Sequence, residues 1–284
     1  MSQILVLGGR GMLGSDIVSV LTGLGHDVKS LGSQEIDIST PFSVESVLSP
    51  YTKADLVINC AAYTKVDLAE SEFDKAIAVN GYGVGHLSRF CKSHHLPLIH
   101  FSTDYIFDGT KPLPYHEKDK ANPINKYGES KFKGEFEFLD SGVKGYIFRI
   151  EWLYGLKGNH FVKTISRLAK EKPSLSIVSD QWGSPTWTYD VAEMVASVIQ
   201  HKPPKGIYHF SSQGYTNWAD FARTFLSIQG IKCDIIDIMS SQYPTAAKRP
   251  LQSRLDITKF LSQGIYTPRP WQESISQFLK EATY

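Results

Sequence analysis

The sequence predicts an α/β protein, a doubly wound parallel sheet with a smaller C-terminal lobe. Three features carry that expectation. The chain opens on an apolar run, Ile4-Leu-Val-Leu7, that passes at once into Gly8-Gly9-Arg10-Gly11-Met12-Leu13-Gly14, which reads as strand, glycine turn and helix. Apolar strand-like runs then alternate with helical patterns as far as Ile150, and strands separated by room for a crossover helix pair in parallel. Beyond Ile150 the rhythm shifts to a portion richer in Pro and Trp.

The opening turn satisfies Gly-x-Gly-x-x-Gly through Gly9, Gly11 and Gly14, and Gly-x-x-Gly-x-x-Gly through Gly8, Gly11 and Gly14. Such spacing allows a tight turn, approach of a pyrophosphate to backbone, and close packing of helix on strand. A helix over 14–24 follows from the apolar period Leu13, Ile17, Val20, Leu21, Leu24. In that context the turn reads as a dinucleotide site rather than a merely structural bend. Further strands are expected at 28–31, 56–59, 98–101 and 146–150, with helices at 42–48, 73–94 and 125–139. Gly81, Gly83 and Gly85 fall inside the third helix, each at a cost of about 1 kcal/mol relative to Ala, which close backbone packing or a helix break would explain. After Ile150, 161–170, 188–200 and 218–228 read as helices, 175–178, 207–210 and 235–239 as strands, and a last helix starts at Trp271. Residues 1–150 are therefore expected to form a Rossmann-like nucleotide-binding domain, and 151–284 mainly a substrate lobe, with some of its segments returning to the first domain.

Composition narrows the function. A net charge of +1 and a pI near 7.7 give no electrostatic case for nucleic acid or an anionic membrane as partner. Cys60, Cys91 and Cys233 have no Cys-x-x-Cys spacing, so neither a disulfide framework nor a zinc site is expected, and no metal site is assigned. The expectation is a reduced, cytoplasmic protein with no signal peptide and no membrane span.

The chemistry centres on Tyr127 and Lys131, four residues apart and so on one face of the predicted helix. A nearby fixed positive charge favours phenolate, which would bring the phenol toward general-acid work at neutral pH. Thr103 and Asp104 follow the strand at 98–101, on the ligand side of such a sheet, where a hydroxyl can hydrogen-bond a carbonyl that becomes an alkoxide. The second strand ends Ser30-Leu-Gly-Ser-Gln34, without the acidic residue that would hold an adenine ribose and repel a 2′-phosphate. NADPH is therefore not excluded, and the expectation that it is preferred rests on Arg10, a fixed cation inside the glycine turn, with Ser33, NADH being left open.

With the strand-glycine-helix start, Asn59-Cys-Ala-Ala-Tyr63, Ser102-Thr-Asp104 and the Tyr127/Lys131 helix in this order, the chain resembles the extended short-chain dehydrogenase/reductases. Within them it is most similar to the dTDP-4-dehydrorhamnose reductase family. The similar stretches are 61–70, 102–109, 123–135, 152–155, 180–186 and 249–256, which span nearly the whole chain. The resemblance implies Tyr127 as proton donor, Lys131 on the nicotinamide ribose, and Thr103 with Asp104 around the keto group of a nucleotide-sugar substrate. It also implies Gly11, Met12 and Leu13 at the pyrophosphate, Asp37 and Ile38 beside the adenine, Ala61, Ala62 and Tyr63 beside the ribose and nicotinamide, and Trp152 on the substrate. Gly9-Arg-Gly-Met12 is similar to NADPH-using members such as GDP-fucose synthase. Lys163 and Arg249 are candidates for the substrate diphosphate, because a doubly negative group needs cationic partners. Some relatives bridge subunits through Mg²⁺, but Asp16 alone does not define such a site; a homodimer is compatible with the sequence. Two departures bear on the sugar: Arg149-Ile-Glu151-Trp152 where Arg-Thr-Ser-Trp is common, and Gly158-Asn-His160-Phe161 where Gly-Asn-Asn-Phe is usual. They leave open a reductase for another keto sugar, and a non-catalytic regulatory subunit of the same fold is the third reading.

Overall fold

A computed structural model describes residues 1–282. Its centre is a six-stranded parallel sheet built from β1 (Gln3–Leu7), β2 (Asp27–Leu31), β3 (Leu56–Asn59), β4 (Leu98–Thr103), β5 (Gly145–Ile150) and a late strand, Gly206–His209. The spatial order is β2-β1-β3-β4-β5 and then the late strand, so the chain reverses its direction of travel across the sheet between β1 and β3. Ligands of open parallel sheets bind in the crevice at such a reversal, beyond the carboxyl ends of the strands.

The first crossovers are α1 (Met12–Gly23) and α2 (Pro41–Leu48). The predicted 73–94 helix is interrupted. It runs as α3 (Phe73–Ile77), one π-type turn (Ala78–Tyr82) and α4 (Gly83–Ser93). Both explanations for its glycines hold, because α5 (Lys126–Asp140) lies against the wide turn. A Cβ on Gly81 would stand 2.9 Å from the Lys133 side chain, and one on Gly134 only 2.1 Å from the Asn80 carbonyl. The turn also inserts Asn80 as a clamp: Oδ1 accepts from Tyr63 N at 2.8 Å, while Nδ2 donates to Tyr63 O at 2.9 Å and Ser130 Oγ at 3.0 Å.

Strand alternation distributes the core over both faces of the sheet. Ile4 and Val6 pack with Ile17, Leu21, Val191 and Val195, whereas Leu5 and Leu7 pack with Val84, Leu87 and Phe138. Beyond β5 come β6 (Leu153–Tyr154), α6 (Phe161–Glu171), β7 (Ser174–Val178), β8 (Trp182–Gly183), β9 (Thr186–Trp187) and α7 (Thr188–His201). They are followed by β10 (the late strand, Gly206–His209), β11 (Thr216–Asn217), α8 (Trp218–Ile228), β12 (Asp234–Ile238), α9 (Thr258–Leu261) and α10 (Trp271–Glu281). Three of these rejoin the first half: β10 pairs with β5, α7 packs on α1, and Phe260 of α9 joins the core of Ile4 and Val6. Residues of β6, α6, β7, β9, α8 and α10 form a separate apolar cluster around Trp187, Phe221, Phe225 and Phe278.

Arg149 ties the sheet to α5. Its guanidinium makes a bidentate, fully buried pair with Glu135, at 3.0 and 2.7 Å, and also reaches Glu117 O and His209 Nε2 at 3.2 Å each. No helix among the described residues is long and apolar enough to cross a membrane.

Candidate active site

A cleft of about 1120 Å³ opens above the reversal between β1 and β3. The glycine turn forms its floor at one end. Gly8 has φ +74°, a conformation that costs glycine little, and a Cβ there would meet Ala61 N at 2.7 Å. Gly14 lets α1 close on the turn, since a Cβ would lie 2.3 Å from Gly8 O. These approaches leave the first amide groups of α1, whose N-cap is Gly11, free of intrahelical partners beside the cleft. Met12 and Leu13 line it, as do Asp37 and Ile38 after β2, and Ala61, Ala62 and Tyr63 after β3.

Arg10 lines the same end and is not a free cation. It is ion-paired with Glu35, whose other oxygen accepts from Gly32 N at 2.8 Å. Reading the strand end only as far as Gln34 misses this carboxylate, because the chain folds Glu35 back onto the turn. Glu35 itself is not on the cleft wall, while Ser33 and Gln34 are.

At the other end stand Thr103, Asp104, Tyr127 and Lys131. Asn125 caps α5 by accepting from Gly128 N at 2.7 Å and is anchored through Nδ2 to Lys248 O at 2.8 Å. Gly128 then lets the first turn press on the loop after β4, where a Cβ would lie 2.1 Å from Tyr105 O. Gly128→Ala is accordingly expected to displace Tyr127 and to destabilise by about 1–3 kcal/mol, as overpacking does. Thermal unfolding and a parallel activity assay would check it.

The phenol and the amine both line the cleft from α5, as the spacing suggested. Lys131 Nζ is buried and donates to Phe101 O at 2.5 Å. Burial pulls its pKa down to about 8, with Glu135 and Cys60 opposing that fall. Tyr127 is pushed above the ordinary phenol value by burial and by the Asp104 charge, against which the Thr103 hydroxyl works. The helix presents both side chains to the cleft, and one of the three N–H donors of the ammonium goes to a β4 carbonyl. Tyr127 therefore holds its proton at neutral pH, which is the state a proton donor needs.

Thr103 Oγ1 donates to Asp104 Oδ1 at 2.9 Å and accepts from Tyr105 N at 3.2 Å, so the loop after β4 is held by the same hydroxyl that faces Tyr127. Asp104 is buried, and that burial raises its carboxyl to about 7, with the Ser253 and Thr103 hydroxyls opposing. Glu151 is likewise buried on the cleft wall. Both of its oxygens accept backbone N–H groups, from Ser184 at 2.9 Å and Leu255 at 3.1 Å.

Trp152 lines the cleft in the left-handed region, φ +49°, with its indole stacked on Trp218 at 3.6 Å. Trp218 had no signal beyond opening a helix. A second cleft of about 1500 Å³ adjoins the first, sharing Val66, Tyr105, Asn159 and Trp218 on its walls. Arg249 lines this second cleft and is paired with Asp67 at 2.8 and 3.0 Å. Lys163 is not brought to either wall: it lies exposed on α6, whose N-cap is His160, accepting at Nδ1 from Lys163 N at 3.4 Å. Asp16 is also elsewhere, accepting from Thr188 Oγ1 at 2.5 Å. Among the described residues no three His, Cys, Asp or Glu side chains gather as a metal site.

Comparison with known proteins agrees with this architecture. The family described as RmlD substrate binding domain matches residues 1–284. The spore coat polysaccharide biosynthesis protein SpsK of Bacillus subtilis is 36% identical, covering 99% of this chain and 98% of its own. A dTDP-4-dehydrorhamnose reductase of Aggregatibacter actinomycetemcomitans is 36% identical, with 97% of each chain covered. Among solved structures, a dTDP-4-dehydrorhamnose reductase of Bacillus anthracis in complex with NADP superposes with a TM-score of 0.95 at 33% identity, covering 99% of both chains. One from Clostridium acetobutylicum gives 0.95 at 35% identity, covering 98% of this chain and 99% of its own. Similarity that runs end to end, through lobe and sheet alike, places this chain in the RmlD substrate-binding-domain family.

Proposed function

We propose that this protein reduces the 4-keto group of a nucleotide-activated 6-deoxy sugar, dTDP-4-dehydro-L-rhamnose, using NADPH and a proton from Tyr127. The observation that carries the reading is that Thr103, Asp104, Tyr127 and Lys131 share one cleft with the glycine turn of α1. That cleft exceeds the roughly 300–1,000 Å³ typical of small-ligand pockets, which suits a dinucleotide and a sugar together. The names of the relatives, and the NADP held by the Bacillus anthracis reductase, support the same assignment.

The residues present fit the cofactor. A turn whose glycines bring backbone close, and α1 amide groups at its mouth, suit a pyrophosphate. When bound, the reduced nicotinamide supplies hydride chemistry. The chain's own residues do the rest. Lys131, fixed to Phe101 O, presents positive charge to the ribose side. Thr103 and Tyr127 offer hydroxyl donors to the ketone oxygen, and Tyr127 releases its proton as negative charge develops there. Trp152, held flat by Trp218, bounds the sugar, and the adjoining cleft with Arg249 takes the nucleotide end.

NADPH preference would require Arg10 to exchange Glu35 for the 2′-phosphate, with Ser33 alongside. Arg10→Ala should then cut kcat/KM for NADPH by about tenfold, the worth of a charged hydrogen bond, and leave NADH use unchanged. Equal use of both cofactors, unaltered by the substitution, would reject this preference.

Assay of the purified protein with NADPH against a panel of keto-sugar nucleotides tests the function. Fastest oxidation with dTDP-4-dehydro-L-rhamnose is expected, and no oxidation with any of them would overturn it. A different sugar is the second reading, favoured by the carboxyl of Glu151 on the cleft wall.

A further inference from the structure

Glu151 stands at the junction of β5 and β6, 1% exposed, with Trp152 as its chain neighbour. Its two oxygens accept from the backbone of two separate segments: Oε2 from Ser184 N at 2.9 Å and Oε1 from Leu255 N at 3.1 Å. Those segments are themselves joined, since Trp182 N donates to Leu251 O at 2.8 Å and Ser253 N to Trp182 O at 2.9 Å. The carboxyl therefore fastens β8 and the stretch 251–255 to the end of a central strand. β8 pairs in turn with β11, Gly183 opposite Thr216 and Trp182 opposite Asn217, and Asn217 caps α8 by accepting from Asp220 N at 2.9 Å. The first residue of α8 is Trp218. One side chain thus stands behind both indoles of the cleft wall: Trp152 through the chain, Trp218 through β8 and β11. The wall needs such a hold. Trp152 has φ +49°, a conformation that a bulky side chain keeps only where its surroundings over-determine it. Its ring lies parallel to that of Trp218, with 3.6 Å between centroids and 7° between planes. Gly183 lets both neighbours approach, since a Cβ there would stand 2.5 Å from the Trp152 indole and 2.7 Å from Glu151 Oε2.

We propose that Glu151 is a positioning residue for the sugar, setting the wall of Trp152 and Trp218 from behind rather than contacting the substrate. The inference rests on the reductase reading above, in which Trp152 bounds the sugar. An amide cannot replace the carboxyl, because its NH₂ group donates and would face a backbone N–H that also donates. A shorter acid cannot replace it either. Aspartate keeps the carboxyl but draws it back by one methylene, out of reach of at least one of two amides that sit on different segments. That separates a brace from an acid acting by charge, for which aspartate would serve. Contact between the wall and the sugar is the same before and during hydride transfer, so its loss falls on KM rather than on kcat.

Stacked indoles couple excitonically, which gives the wall its own circular-dichroism couplet, read as the difference between wild type and Trp218→Leu. Glu151→Gln and Glu151→Asp should each lose most of that couplet. Each should also raise KM for dTDP-4-dehydro-L-rhamnose about tenfold, the worth of one well-placed aromatic contact, with kcat and the KM for NADPH within about threefold of wild type. In wild type the Ser184 and Leu255 amides should exchange slowly for deuterium, a readout that does not depend on either variant folding. Glu151→Asp with the couplet and KM of wild type would overturn the proposal in favour of a role for the charge. A raised KM with the couplet intact would overturn it too, because Glu151 would then meet the sugar itself. So would a lost couplet with KM unchanged, the absence of any couplet in wild type, or fast exchange at either amide. If wild type turns over no keto-sugar nucleotide, it is the reductase reading that fails, while the couplet and the exchange, which need no turnover, still judge the brace.

Discussion

Tyr127→Phe is expected to lower kcat by about 10²–10⁴-fold, the usual worth of positioned proton donation, with the fold intact. The ring remains to pack edge-on against Tyr105, at 6.0 Å between centroids, so only the hydroxyl is lost. KM should change little, because the substitution removes an interaction that matters most as charge develops on the ketone oxygen. Steady-state kinetics beside near-ultraviolet circular dichroism would separate the outcomes. A folded variant keeping most of its kcat would assign the proton to another group, with Thr103 the nearest candidate in the cleft.

The largest expected loss of stability comes from breaking the buried pair between Arg149 and Glu135. Both side chains are nearly inaccessible, at 5% and 2%, so an orphaned Glu135 carboxylate has no water to turn to. Arg149→Met should destabilise the protein by about 3–5 kcal/mol, the typical cost of removing one partner of such a pair. For a chain of this size that is a fall in melting temperature on the order of 10 °C. Arg149→Met combined with Glu135→Leu should recover much of the loss, since apolar replacement of both charges removes the uncompensated one. A single variant that melts with wild type would mean that Glu135 is neutral, or is held by Lys131 instead. The pair also joins the helix of Tyr127 and Lys131 to the strand that leads into Glu151 and Trp152.

Much of the fold was legible because parallel strands buried on both faces leave unmistakable apolar runs. The run 4–7, the glycines after it and the helix period from Leu13 identify β1, its turn and α1 without any long-range information. What escaped depends on contacts between distant segments. The π-type turn at Ala78–Tyr82 follows from where α5 lies, and no local period encodes it. The same holds for Trp218, which becomes part of the cleft only because Trp152 stacks on it from 66 positions earlier in the chain. Glu35 sits one residue beyond the stretch that decides cofactor preference in sequence, yet the turn folds it onto Arg10. Spacing placed Tyr127 and Lys131 on one helix face, but it says nothing of the Phe101 carbonyl that accepts from the ammonium or of the burial and the Asp104 charge that push the phenol upward. Lys163 and Arg249 were chosen for charge alone, and charge does not determine exposure: one lies outside both clefts and the other is already matched by Asp67.

The most direct measurement is a crystal structure of the ternary complex with NADP⁺ and dTDP-L-rhamnose. The expected result has the C4 hydroxyl within about 2.6–3.2 Å of the Tyr127 hydroxyl, the reach of a proton donor, with C4 facing the nicotinamide above the glycine turn. A sugar bound with C4 beyond the reach of Tyr127, or a dinucleotide seated away from Gly8–Gly14, would contradict the assignment of this cleft as a ketone-reducing site.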